Sequence, residues 1–94
     1  MTETELFEEV RKLSKLFAFF LYHTYDSRRS GSGFLDLVLV KPPRVIFAEL
    51  KSERGRMTPE QQRLFDLLSQ CPGVEVYLWR PRDLEEIAKT LRGE

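Results

Sequence analysis

Residues 33–51 read Gly33-Phe34-Leu35-Asp36-Leu37-Val38-Leu39-Val40-Lys41-Pro42-Pro43-Arg44-Val45-Ile46-Phe47-Ala48-Glu49-Leu50-Lys51. Two apolar runs flank a proline pair. The pattern predicts strands over residues 34–40 and 44–50, joined by a turn in which Pro43 presets the backbone and neither proline can donate to a ladder. The runs are almost continuously apolar, which predicts cover on both faces. Each run nevertheless carries acid: Asp36 early in the first, Glu49 late in the second, with Lys51 two residues on. Strand side chains alternate, so Glu49 and Lys51 share a face while Leu50 points away. On antiparallel neighbours, Asp36 and the Glu49-x-Lys51 pair converge at one end of the hairpin. Charge in such a place is costly unless paired or metal-bound. The plain alternative is a strand-end ion pair between Glu49 and Lys51.

Working outward, residues 3–22 predict a helix. Leu6, Val10, Leu13, Phe17, Phe20 and Leu21 recur at three- and four-residue steps, the stripe of an amphipathic helix. Thr2 or Thr4 caps it, and acids in the first turn suit its dipole. Glu9 lies close to the apolar stripe and Glu5 at its edge. Tyr22 to Tyr25 predict a short strand, with His23 as a structural residue. The stretch from Arg28 to Gly33 is small, polar and loop-like. Arg28 and Arg29 suit phosphate, and two solvated loop arginines are the equal alternative. A charged loop with Arg54 and Arg56 follows Lys51. Thr58-Pro59-Glu60-Gln61 is a helix start with a threonine cap, proline in the first turn and glutamine at the capping-box position. Cys71-Pro72-Gly73 ends that helix. Val74 to Trp79 predict a further strand, with Trp79 in the core or at a dimer interface rather than a base-stacking platform, and a last helix runs from about Asp83 to Leu91. The order is α-β-β-β-α-β-α, an α/β domain over residues 1–94, with no internal repeat or linker. Lys41 and Arg44 join the loop arginines as candidates for a phosphate-tracking groove.

The bulk properties narrow the function classes. Fifteen basic and fifteen acidic residues give a formal net charge of zero over 94 residues, which disfavours a general polyanion binder and leaves a locally basic surface open. Cys71 is the one cysteine, so an internal disulfide and a cysteine-rich zinc module are excluded. No leader pattern is read at the acidic N-terminus, and residues 16–21 are too few to span a bilayer. The expected location is intracellular.

Asp36 with Glu49 suits a hard divalent cation such as Mg²⁺, with the Leu50 carbonyl as a further oxygen ligand. An ion there would polarise a phosphate and acidify a water. Lys51 would stabilise developing negative charge or orient the attacking water. Phosphodiester hydrolysis uses all of these parts.

Four stretches carry a family resemblance. They are Gly33-Phe34-Leu35-Asp36-Leu37-Val38-Leu39-Val40, Ala48-Glu49-Leu50-Lys51-Ser52-Glu53, Thr58-Pro59-Glu60-Gln61 and Val76-Tyr77-Leu78-Trp79-Arg80-Pro81. In order and spacing the chain resembles a stand-alone virus-type replication–repair nuclease (VRR-NUC) domain of the PD-(D/E)XK nuclease superfamily. The resemblance implies a restriction-endonuclease-like core, a mixed sheet flanked by helices with the acids at one sheet end. It implies that Asp36 and Glu49 bind Mg²⁺ or Mn²⁺ and that Lys51 is catalytic. It implies a further carboxylate from the first helix, placed on Glu5 with Glu9 as competitor, and a polar role for Gln61 toward metal-held water or phosphate. It further implies a homodimer acting on branched DNA, a four-way junction above all, in the manner of a Holliday-junction resolvase. The setting it implies is the cytoplasm, including that of a phage-infected host. Two positions depart from the family pattern: Leu35 stands where a proline is usual, and Phe7 where a glutamine is common. The reading from another class is a non-catalytic DNA-binding or assembly module on the same fold, in which Asp36, Glu49 and Lys51 need not converge.

Overall fold

A computed structural model describes residues 1–24 and 33–94. The order is α1 (Glu3–Leu16), β1 (Phe20–His23), β2 (Leu37–Lys41), β3 (Arg44–Leu50), α2 (Pro59–Ser69), β4 (Val74–Trp79), a 3-10 turn (Pro81–Asp83) and α3 (Leu84–Arg92). The strands form one four-stranded sheet in the order β1-β2-β3-β4. The first two pairings are antiparallel and β3–β4 is parallel. Parallel neighbours need a crossover, and α2 supplies it. The sheet is therefore mixed, with helices on it, as the α/β reading requires.

α1 ends six residues short of the predicted helix, and β1 begins two residues ahead of the predicted strand. Phe17, Phe20 and Leu21 continue the helical period, but the backbone turns at Ala18, whose φ is +63°. The Phe19 N–H donates to Ser14 O and the Ala18 N–H to Lys15 O, which closes the helix with a Schellman pair. Freed from the helix, the aromatic and branched residues at 19–22 take the extended form they favour. α3 closes with the same hydrogen-bond pattern, but there the left-handed residue is Gly93, at φ +95°.

One face of the sheet is the core. Leu37, Leu39, Ile46, Ala48, Leu50 and Trp79 are buried with Leu6 and Val10 of α1 and Ile87 and Leu91 of α3. Trp79 is therefore core, stacked on Tyr77 at 5.5 Å. Fully burying one such aliphatic side chain stabilises by about 1.5–3 kcal/mol. The other face is only half covered: α2 packs along β4, while Phe20 and Tyr22 on β1 are 68% and 54% exposed. Cover on both faces thus holds toward β4 and fails toward β1.

The turn end of the hairpin is a structural clamp. Arg44 donates through Nε and Nη2 to Glu75, each at 2.8 Å, and through Nη2 to Thr90 O at 2.9 Å. Lys41 donates to Phe17 O at 2.9 Å. Both cations also lie over the Phe19 ring, at 5.6 and 5.4 Å from its centre. Lys41, though exposed, and Arg44 are thus hydrogen-bonded within the chain at the turn end of the hairpin, at the far end of β2 from Asp36. The physical reason is that Arg44 finds a bidentate carboxylate on the parallel neighbour, the pairing that fixes a guanidinium best. Among the described residues no helix is long and apolar enough to cross a membrane.

A non-glycine residue in the left-handed region costs roughly 1–2 kcal/mol. Ala18→Gly removes that cost at the end of α1 and adds unfolded-state entropy, so a net gain of about 0.5–1 kcal/mol is expected. Urea unfolding measures it. An unchanged or lower midpoint would mean that Ala18 does not hold the left-handed turn in solution.

Candidate active site

The site forms where the regular ladder stops. β2 begins at Leu37, three residues later than the sequence predicts, because the Asp36 side chain takes over the pairing. Asp36 Oδ2 accepts the Leu50 N–H at 2.9 Å, and Glu49 Oε1 accepts the Asp36 N–H at 3.0 Å. Each acid thus holds a backbone amide on the facing strand. Lys51 Nζ lies 3.1 Å from the other Glu49 oxygen, Oε2. The three residues picked out by strand alternation converge. The Glu49 side chain is 1% exposed and that of Lys51 17%, so this is a half-buried triad around a buried Glu49 and not a surface ion pair.

Its electrostatics are unusual for an acid with a lysine partner. Burial, and then the adjacent Asp36 charge, push the Glu49 carboxyl up to about 7, against the opposing pull of Lys51 and of the Asp36 amide. Two carboxylates in one dry place disfavour double ionisation. The apo fold therefore holds more negative charge here than its own cation compensates.

Beside the triad lies a cavity of about 380 Å³ lined by Glu3, Thr4, Phe7, His23, Asp36 and Leu50. α1 reaches it through one flank only. Glu3 and Phe7 are a helical step of four apart and share that flank, and Phe7 stacks on His23 at 4.1 Å. Glu5 is elsewhere. Its carboxylate accepts the Thr2 N–H at 2.8 Å while Thr2 Oγ1 accepts the Glu5 N–H at 3.1 Å, a capping box. The Thr2 amide and hydroxyl hold the Glu5 carboxyl below its ordinary value. Glu9 pairs with Lys12 at 3.7 Å. Neither acid lines the cavity, and the helix carboxylate that does is Glu3. The helical period fixes which residues face the core, but not which flank meets the sheet end.

Gln61 occupies the capping-box position as its sequence predicts. Its Oε1 accepts the Thr58 N–H at 3.0 Å, and its own N–H donates to Thr58 Oγ1 at 3.1 Å. The amide oxygen is thereby engaged in starting α2. The lead-in to Asp36 is fitted against this same turn: a methyl group on Gly33 would lie 2.9 Å from Glu60 Cβ and 3.1 Å from its carbonyl oxygen. Leu35, next to Asp36, is fully buried. Arg54 and Arg56 are exposed on the loop after Lys51. Arg28 and Arg29 lie outside the described residues.

Among the described residues no three acidic, histidine or cysteine side chains gather closely enough to hold a metal ion by themselves. The available donor set is smaller: the Asp36 and Glu49 carboxylates and the Leu50 carbonyl, opening on a cavity with Glu3 at its edge. That set fits Mg²⁺ or Mn²⁺, since such ions take one or two carboxylates and complete their shell with water and phosphate. The excess negative charge around Glu49 fits a cation too.

A mixed sheet with helices on it, and acids gathered where β2 begins and β3 ends, fits a restriction-endonuclease-like fold. The VRR-NUC domain model matches residues 2–83, and the chain belongs to the VRR-NUC family. A solved structure titled as a VRR-NUC domain superposes with a TM-score of 0.76 over 99% of this chain and 98% of that one, at 17% identity. That likeness establishes the fold. No curated protein matches.

The Glu49 shift has a stability consequence. Its carboxyl is raised from an ordinary 4.5 to about 7 in the folded chain, so the fold binds this proton more tightly than the unfolded chain does. The stabilisation is full below pH 4.5 and is lost as pH rises through 7. Glu49→Gln mimics the protonated acid. In metal-free buffer its melting temperature is expected to exceed that of the parent by roughly 5 °C or more at pH 8 and to match it near pH 5. Equal differences at both pH values would show that Glu49 is ionised throughout.

Proposed function

We propose that this chain is a metal-dependent, structure-selective DNA endonuclease that hydrolyses phosphodiester bonds as a homodimer, in the manner of a Holliday-junction resolvase. The observation that carries the reading is the convergence of Asp36, Glu49 and Lys51 at a buried strand end beside an open cavity. An assembly module does not need that arrangement. Family membership supports the nuclease chemistry.

In this reading Asp36, Glu49 and the Leu50 carbonyl hold Mg²⁺ or Mn²⁺, with Glu3 on the open side of the cavity. The ion supplies Lewis-acid polarisation of the phosphate and acidification of the attacking water. The residues of the chain do the rest. The backbone amides of Asp36 and Leu50 fix the two carboxylates, so neither has to reorganise when DNA arrives. Lys51 has few conformations open to it while paired to Glu49. It places one positive charge where negative charge develops on the phosphate, an interaction worth more in a dry site than in water. Arg54 and Arg56 contact the phosphates beside the scissile bond, and Arg28 and Arg29 are assigned the same role from sequence. Two copies of so small a chain give two active sites, as paired cuts on opposed strands require. The work is intracellular.

The test is cleavage of a labelled four-way junction against a linear duplex, in Mg²⁺, in Mn²⁺ and in EDTA. Metal-dependent cuts in the junction are expected, with Asp36→Asn and Lys51→Ala each lowering the rate by about 10²–10⁴. Sedimentation of the unsubstituted chain should give twice the monomer mass. Glu3→Gln is expected to slow cleavage far more than Glu5→Gln, whose effect falls on the helix cap. Full activity in both Asp36→Asn and Lys51→Ala would remove the site assignment. Junction binding without cleavage in either metal would favour the assembly module.

A further inference from the structure

Arg80 directly follows β4, whose parallel register with β3 ends at Leu50 opposite Trp79, one residue before Lys51 and Arg80. The Lys51 N–H donates to Trp79 O at 3.0 Å. The guanidinium of Arg80 makes no ion pair among the described residues. Its Nη1 instead donates to three backbone carbonyls: Ser52 and Gly55, each at 2.7 Å, and Glu53 at 3.2 Å. Three carbonyls of one loop thus close around one nitrogen. A second tie runs from the Arg82 N–H to Glu53 Oε1 at 3.3 Å. Within the loop the Gly55 N–H donates to Ser52 Oγ at 3.1 Å. A methyl group on Gly55 would lie 3.0 Å from that same oxygen and 3.5 Å from Lys51 Cβ, so the loop folds back tightly on the lysine stem.

This loop starts at the residue after Lys51 and carries Arg54, with Arg56 just beyond it. Both arginines are exposed, and among the described residues neither makes a hydrogen bond or ion pair. Left alone, a charged loop of this kind samples many conformations, and each immobilised long side chain costs entropy on binding. A guanidinium that never loses its charge, bonded to three carbonyls, removes part of that freedom in advance.

We propose that Arg80 is a positioning residue for nucleic-acid binding. It holds loop 52–55 so that Arg54 and Arg56 meet the same phosphate backbone that Lys51 approaches. The proposal rests on the nuclease reading above and adds to it the residue that preorganises the DNA contact.

The experiment has two arms. Amide hydrogen exchange over residues 52–57 of the free protein is expected to quicken in Arg80→Ala, with α1 and β3 unchanged. Binding of a four-way junction, with Ca²⁺ in place of Mg²⁺, is expected to weaken about tenfold, with the salt slope reduced by about one to two. KM for cleavage in Mg²⁺ should rise while kcat stays within about threefold. The Arg54→Ala/Arg56→Ala pair should show the same signature. Adding Arg80→Ala to that pair should cost little more, because all three act as one unit. Arg80→Lys, which keeps the charge but not the fork, should fall between, and it carries the test if Arg80→Ala does not fold. Unchanged exchange at 52–57, unchanged affinity, or fully additive losses would each overturn the proposal. If the unsubstituted chain binds no DNA, the nuclease reading falls and takes this proposal with it. If it binds and cleaves while Arg80→Ala does so equally well, only this proposal falls.

Discussion

Everything at the working end of this molecule depends on one exchange across the β2–β3 hairpin. The Asp36 amide is held by the Glu49 carboxylate, and the Leu50 amide by the Asp36 carboxylate. These two bonds replace ladder pairing with side-chain pairing, and in doing so they set where β2 begins. They also force two acids into one place. A hydrogen bond from a backbone amide to a carboxylate contributes roughly 1.5–3 kcal/mol, enough to keep the acids together despite their repulsion. The same bonds fix their direction, since an acid holding an amide on the facing strand cannot swing out to water. The fold at this end is therefore built from the groups that make the site.

The two ends of the sheet show what burial does to glutamate with and without adequate compensation. At the turn end, Glu75 accepts two bonds from Arg44 and one from Tyr77, and its carboxyl is held below its ordinary value, chiefly by Arg44. Burial and the neighbouring Glu75 push the Tyr77 phenol up to about 12, which keeps it a donor. At the other end Glu49 has one lysine and a second acid, and its carboxyl rises to about 7. The residue type is the same and the sheet is the same. The sign of the shift follows burial first and the second carboxylate next: Glu49 is nearly fully buried beside Asp36, whereas Glu75 is only partly buried and held by Arg44.

How much of this was legible in the sequence follows from which interactions are periodic. Alternation along two strands brought Asp36, Glu49 and Lys51 to one point, and Thr58 with Gln61 announced the start of α2; both depend on spacing alone. The end of α1 was hidden because Phe17, Phe20 and Leu21 keep helical time past a turn that an alanine makes. Had Ala18 been glycine, as its counterpart Gly93 is, the stop would have been visible. Glu3 was hidden for a different reason. Acids at positions 3, 5 and 9 all suit the first turns of a helix, and only the packing of Phe7 on His23 shows which flank meets the strand ends. Arg44 and Arg80 show the same limit. One is spent on Glu75 and Thr90, the other on the carbonyls of residues 52, 53 and 55, partners 25–46 positions away that leave no local pattern.

A chain of 94 residues has a small core and little stability in reserve. It nonetheless keeps a buried glutamate whose carboxyl burial and the adjacent Asp36 push up to about 7. Replacing the acid by a neutral residue would relieve that cost, whereas truncating a core side chain removes stability. Groups that destabilise their own fold persist where function draws on them. A cation that binds the folded chain and not the unfolded one would return the lost stability through mass action. On the proposed reading, then, stability and activity are two measures of one event at Glu49. The carboxylate whose charge burial and Asp36 disfavour in the metal-free fold is one whose charge the ion would need.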